Sequence, residues 1–128
     1  MGSMIWEKAP DVKKSVSRLR IKLDLKHLSI KNIHCFRSYG SSSRAIARIW
    51  GLPRIWQMAL STEPSYCIEV ISERYDKLNE RQKAKVLIHE LTHVPNNFSG
   101  ALTPHIRRGN RSFRKKVDTL TKSFFRNN

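Results

Sequence analysis

The stretch that decides the reading is "KAKVLIHELTHVPNNFSGALTPH", residues 83–105, which sets His89, Glu90 and His93 in the pattern H-E-x-x-H. On an α-helix, residues four apart stand one turn above each other on one face, so His89 and His93 can present imidazole nitrogens to a single ion. Glu90 is offset by about 100° and can lean towards that ion without ligating it, which is where a general base for an activated water must stand. The flanking residues favour a helix here. Asn79 is a suitable N-cap, Gln82 stands where a capping box needs it, and Ala84, Leu87, Ile88 and Leu91 form an apolar stripe away from the histidines. The helix should stop near Val94, because Pro95 disfavours helical geometry in the residue before it.

A hydrolytic zinc site needs a third protein ligand and an open fourth position. After His93 the chain offers one histidine, His105, and one carboxylate side chain, Asp118. His105 comes twelve residues on, at the end of a loop long enough to fold back and stiffened by Pro104, and is the preferred choice. Asp118 on the last helix, upstream His27, His34 or Cys67, and the absence of any third ligand are the alternatives.

Outward from the motif, Val12, Val16, Leu19 and Leu23 recur at helical spacing between Pro10 and Lys26, which predicts an amphipathic first helix. "IHCFRSYGSSSRAIARIWGL" has strand-like composition on both sides of Gly40-Ser41-Ser42-Ser43 and suggests a hairpin ended by Pro53. "IWQMAL" (55–60) and "YCIEVIS" (66–72) are two more strand candidates, and one of them should offer an edge on which an extended peptide can pair. Residues 95–104 read as a loop. A last helix from about Asn110 to Phe125 should bury Phe113, Val117, Leu120 and Phe124. This order of helix, strands, helix, loop and helix is α+β, with a small mixed or antiparallel sheet.

Residues 1–3 resemble an expression scar before a native start at Met4, and 128 residues suffice for one domain over 4–128. No apolar run approaches the ~18 residues that cross a bilayer and no leader is evident, so a soluble, intracellular (cytoplasmic) protein is expected, without a membrane partner. Cys35 and Cys67 form no C-x-x-C pair and read as small half-buried strand residues. Twenty-five Lys and Arg against ten Asp and Glu give +15, and the last 24 residues alone carry eight basic residues and one acid. Such a surface attracts polyanions, so DNA or RNA is a candidate partner and a nucleoid association a candidate location. Trp50 and Trp56, with Ile55 and Phe36, could stack bases, although core packing is the commoner use of such residues.

"VLIHELTHVPNNFSGALTPH" resembles the active-site segment of zincin metallopeptidases known from archaea and phages, whose pattern is H-E-x-x-H followed by a proline, a Phe-x-Gly and a Pro-His. It is similar, more distantly, to the SprT-like zincins, in which a histidine well downstream completes the site. The close resemblance spans residues 44–117. It implies a minimal zincin-like fold, one zinc ion on His89, His93 and His105, Glu90 as base and acid, and a protein or peptide substrate. The chain departs from metzincins in lacking a glycine and histidine soon after His93, from gluzincins in lacking a downstream glutamate, and from SprT proteins in having Ile106 after His105. Tyr66, Tyr75, Arg107 and Arg108 are the candidates for stabilising an oxyanion. Three functions compete: a zinc peptidase acting on nucleic-acid-associated proteins, a basic nucleic-acid-binding module with a structural zinc, and a peptidase of unrelated substrate.

Overall fold

The structure is a computed structural model that describes residues 3–104 and 110–126. Its elements run β1 (Ile5–Lys8), α1 (Pro10–Lys22), a 3-10 turn (Ile30–Asn32), β2 (Ile33–Tyr39), β3 (Ala47–Gly51), α2 (Arg54–Leu60), β4 (Tyr66–Ile71), α3 (Ser72–Tyr75), α4 (Glu80–Leu91) and α5 (Asn110–Arg126). The fold is α+β, with a mixed four-stranded sheet in the order β1-β2-β4-β3.

β4 takes a central place because "YCIEVI" is buried on both faces, the pattern of an interior strand. It pairs parallel with β2, Ile33 opposite Tyr66, and antiparallel with β3, Ala47 opposite Val70. The expected hairpin therefore does not form: β2 and β3 both exist, but β4 lies between them. Seven residues, 40–46, separate the two strands, enough to step over the ~10 Å that one intervening strand occupies. A second correction concerns "IWQMAL", which is the helix α2 rather than a strand. Pro53 caps it with φ −57°, Gln57, Met58, Ala59 and Leu60 are good helix formers, and Ser61 ends it in a left-handed conformation at φ 51°. A short apolar run does not by itself distinguish the two states. The first helix ends at Lys22, earlier than expected, and β1 precedes it as an edge strand antiparallel to β2.

Helices α1 and α4 cover one face of the sheet, α1 against β2 and α4 against β3. Val12, Val16 and Leu19 of α1 and Ala84, Leu87, Ile88 and Leu91 of α4 close over Ile33, Ile68 and Val70. Val117 and Phe124 of α5 complete the core from the side of α4, and Phe113 and Leu120 pack against it half-buried. Cys35 and Cys67 are free cysteines on the adjacent strands β2 and β4, and burial pushes the Cys35 thiol up to about 12. Among the described residues no helix is long and apolar enough to cross a membrane.

Candidate active site

Helix α4 starts as its sequence requires. The Gln82 N–H donates to Asn79 Oδ1 at 2.8 Å and the Asn79 N–H to Gln82 Oε1 at 3.0 Å, a complete capping box. With Leu87, Ile88 and Leu91 locked into the core, the remaining face of the last turns carries His89 and His93, their ring centroids 5.3 Å apart. Glu90 and His93 are each only 9% exposed. Burial pushes the Glu90 carboxyl up to about 7, the range suited to a general base, and a cation on the neighbouring imidazoles would oppose that rise.

The loop after α4 folds back as the sequence suggested, and it is held by contacts the sequence did not announce. Nδ1 of His93 bonds the Thr103 carbonyl at 2.6 Å, and the Thr103 N–H donates to the His93 carbonyl at 2.7 Å. A carbonyl partner makes Nδ1 the protonated nitrogen and leaves the lone pair on Nε2, the arrangement of a metal-ligating histidine. Phe113 of α5 stands against both rings, 5.1 Å from His89 and 4.9 Å from His93 by centroid. The oriented His93 ring, the His89 ring beside it and an adjacent carboxylate are a donor set that fits zinc.

His105 lies outside the described residues, as do Arg107 and Arg108. Asp118 spends its carboxylate on Lys85, 2.9 Å away, and that bond holds its pKa below the usual range. Among the described residues no group of three or more metal-ligating side chains assembles. His27 is half-buried, where desolvation and then the charge of Lys116 lower its pKa, and His34 is exposed on β2. Tyr66 is buried and serves the loop, its hydroxyl donating to the Ala101 carbonyl and accepting from the Gly100 N–H, both at 2.8 Å. Tyr75 is buried beside a groove lined by α1, α4 and α5. Neither tyrosine lines the clefts beside Glu90.

Two clefts meet at His89 and Glu90. One, of about 540 Å³, has an apolar wall of Ile46, Leu78, Val86 and Val117; the other, of about 530 Å³, is bounded by Arg48, Trp50, Leu102 and Pro104. Ala47 of β3 borders both. Strand β3 is thus the edge beside the site, in place of the two segments expected from sequence: 55–60 is helical, and β4 has partners on both sides. Among the described residues no strand pairs with the outer side of β3. On the sheet face away from α1 and α4, Glu69 of β4 is buried and accepts from Arg48 Nη2 and Trp50 Nε1, each at 3.1 Å. That carboxylate fixes the two side chains at the rim of the cleft.

No curated protein and no solved structure matches the chain. The model of a family described as "Putative phage metallopeptidase" matches residues 4–120, almost the full length, and the chain belongs to that family.

Proposed function

We propose that the protein is a zinc-dependent peptidase in which His89, His93 and His105 hold one zinc ion and Glu90 is the general base. Membership of a metallopeptidase family implies a metal and a polypeptide substrate. The observation that carries the finer reading is the His93 clamp: the ring is oriented by Thr103, and Glu90 is buried beside it at the junction of two clefts. The same clamp favours His105 over Asp118. Thr103 is fixed against His93, and two residues of chain span at most ~7 Å, whereas Asp118 is engaged by Lys85.

Zinc, when bound, acts as a Lewis acid on the peptide carbonyl and lowers the pKa of water. The chain supplies the rest. Glu90 takes the proton from water and returns it to the leaving nitrogen. The outer edge of β3 pairs with an extended substrate, laying the scissile bond across Glu90. Glu90→Gln should retain the metal and lose roughly 10²- to 10⁴-fold in turnover. Full activity in that variant would sink the mechanism. His105→Ala should lower the zinc stoichiometry measured by elemental analysis, and an unchanged value would transfer the third position to Asp118.

The nucleic-acid partner is a separate proposal, favoured by the placement of charge. Lys14, Arg18 and Lys22 are exposed at i, i+4 and i+8 on α1, and Arg114, Lys115 and Lys116 are exposed on α5. Binding to DNA that weakens steeply with salt would support it, and no binding at low salt would remove it.

A further inference from the structure

The exposed apolar surface of the molecule is not scattered. Among the described residues ten large apolar side chains are exposed, and seven of them lie along β3, its continuation into α2, or the loop facing it. Ile46 stands just before β3 and lines the cleft on one side of Glu90, while Trp50 and Leu102 line the cleft on the other. The remaining four crowd one seven-residue helix: Ile55 is 71% exposed, Trp56 55%, Met58 68% and Leu60 60%. Exposed apolar side chains clustered in this way mark candidate interaction sites.

Helix α2 is tied to the loop that closes on His93. Its buried residue, Gln57, donates from Nε2 to the carbonyls of Leu52 and Ser99, both at 2.8 Å. Gly51 and Gly100 are pressed so closely that a Cβ on Gly51 would lie 2.1 Å from the Gly100 oxygen. Strand β3, helix α2 and the loop that folds back on His93 are therefore joined to one another by close contacts.

We propose that α2 is a docking surface for the substrate itself, which binds through an extended apolar segment on the same side of the cleaved bond as Trp50. The proposal rests on the peptidase reading above. Its occupant follows from continuity with the cleft: Trp50 and Leu102 line the cleft beside Glu90, α2 follows Trp50 in the chain, and Gln57 ties α2 to the loop that carries Leu102. A second copy or a lipid surface has no reason to follow a line that crosses the catalytic cleft. Arg54 is the one charged residue of α2, so the segment is selected by apolar area rather than by charge. The substrate class is an unfolded or extended polypeptide with a run of Leu, Ile, Met or Phe on the Trp50 side of the cleaved bond.

The test starts with zinc-loaded protein and unfolded casein, whose cleaved bonds are mapped by mass spectrometry. Three peptides are then built on one such bond: one spanning the cleft alone, one with an apolar extension, and one with a Ser-Gly extension of equal length, each extension placed at either end in turn. An apolar extension at one end should lower KM about tenfold against Ser-Gly, a difference of about 1.4 kcal/mol. The double variant Ile55→Ser/Met58→Ser should abolish that gain while kcat and hydrolysis of the short peptide stay unchanged. The apolar peptide should also shift the tryptophan fluorescence of Glu90→Gln protein, and adding Trp56→Phe should remove most of that shift. Equal KM for apolar and Ser-Gly extensions at both ends would overturn the proposal, as would a double variant impaired equally on short and long peptides. A wild-type dimer that becomes monomeric in the double variant would assign α2 to a second copy and overturn it too. Failure to cleave casein, with an extended Leu-rich peptide still shifting the tryptophan fluorescence and Trp56→Phe removing that shift, would instead remove the peptidase reading and leave apolar peptide binding at α2 standing.

Discussion

His93 illustrates what one residue owes to its spacing and what it owes to its neighbours. Its place four residues after His89 suffices to predict a shared face, but the Thr103 carbonyl that sets its tautomer lies ten positions away and is visible only once the loop has closed. Gly100 is the residue that lets the loop close. Its φ of +95° is open to glycine at little cost, and a Cβ there would lie 2.4 Å from both Gln57 Nε2 and the Leu52 oxygen. Gly100→Ala should therefore cost about 2 kcal/mol or more, read as a lower denaturation midpoint, and should weaken metal binding in parallel as Thr103 is displaced. A variant as stable as the parent would show that the backbone at Gly100 can relax. The sequence marked Gly100 as a loop residue, but nothing local to it announces the contact with Leu52.

Among the elements, α4 was legible from its cap onward, although it ends at Leu91 and not near Val94, and α2 was not, for one reason. Helix α4 spans twelve residues, begins with a capping box and carries an apolar stripe at helical spacing, so local physics and burial agree. In α2 the apolar residues are exposed instead of buried, so no amphipathic period identifies it, and Ile55 and Trp56 suggest a strand when read alone. Asn79→Ala tests the first case. It should cost about 1 kcal/mol through loss of the bond from the Gln82 N–H, lowering the melting temperature. Cleavage well below the melting temperature should be unaffected, because His89 stands ten residues from the cap. A variant that loses activity in proportion to stability at low temperature would imply that the cap positions the histidines. The sheet shows the same limit at larger sequence distance. Strands β2 and β3 were each readable, but the insertion of β4 between them is decided by the burial of both its faces, a competition among strands rather than a property of the connecting turn.

For the whole molecule, the polar anchor is Arg37, whose side chain bonds Asp11 at 2.8 Å and Asp76 at 2.9 Å, joining α1, β2 and the end of α3. The Arg37 hydrogen bond holds Asp11 below its ordinary pKa. Desolvation pushes Asp76 up, but hydrogen bonds from Ser72 and Arg37 outweigh it and leave Asp76 lowered as well. A depressed native pKa means that the stabilisation is complete above the unfolded carboxylate range and is lost as pH falls through the native values, below about 4. The contribution of these two aspartates, read as the difference between wild type and Arg37→Ala in thermal denaturation, should therefore be flat near neutrality and shrink below about pH 4, whereas the raised Glu90 carboxyl by itself lowers the stability of the metal-free protein as pH rises towards 7. Arg37→Ala should be less stable at pH 7 and lose less on acidification. Parallel curves for the two proteins would show that other carboxylates govern acid unfolding. Both aspartates are partly exposed, so solvent and salt reduce the effect, and it should shrink further as ionic strength rises.

By itself the sequence determined the α+β class, the start of α4, the extent of α5, the pairing of His89 with His93 and the position of Glu90, because helical periodicity and capping are local and act over a few residues. Tertiary structure alone decided that β3 is the edge beside Glu90, that Thr103 orients His93 and that the apolar residues of α2 face outward. Each of these depends on which distant segments win burial at the centre of the sheet. That outcome is set by the summed packing of the whole chain and not by the spacing of residues along any one stretch.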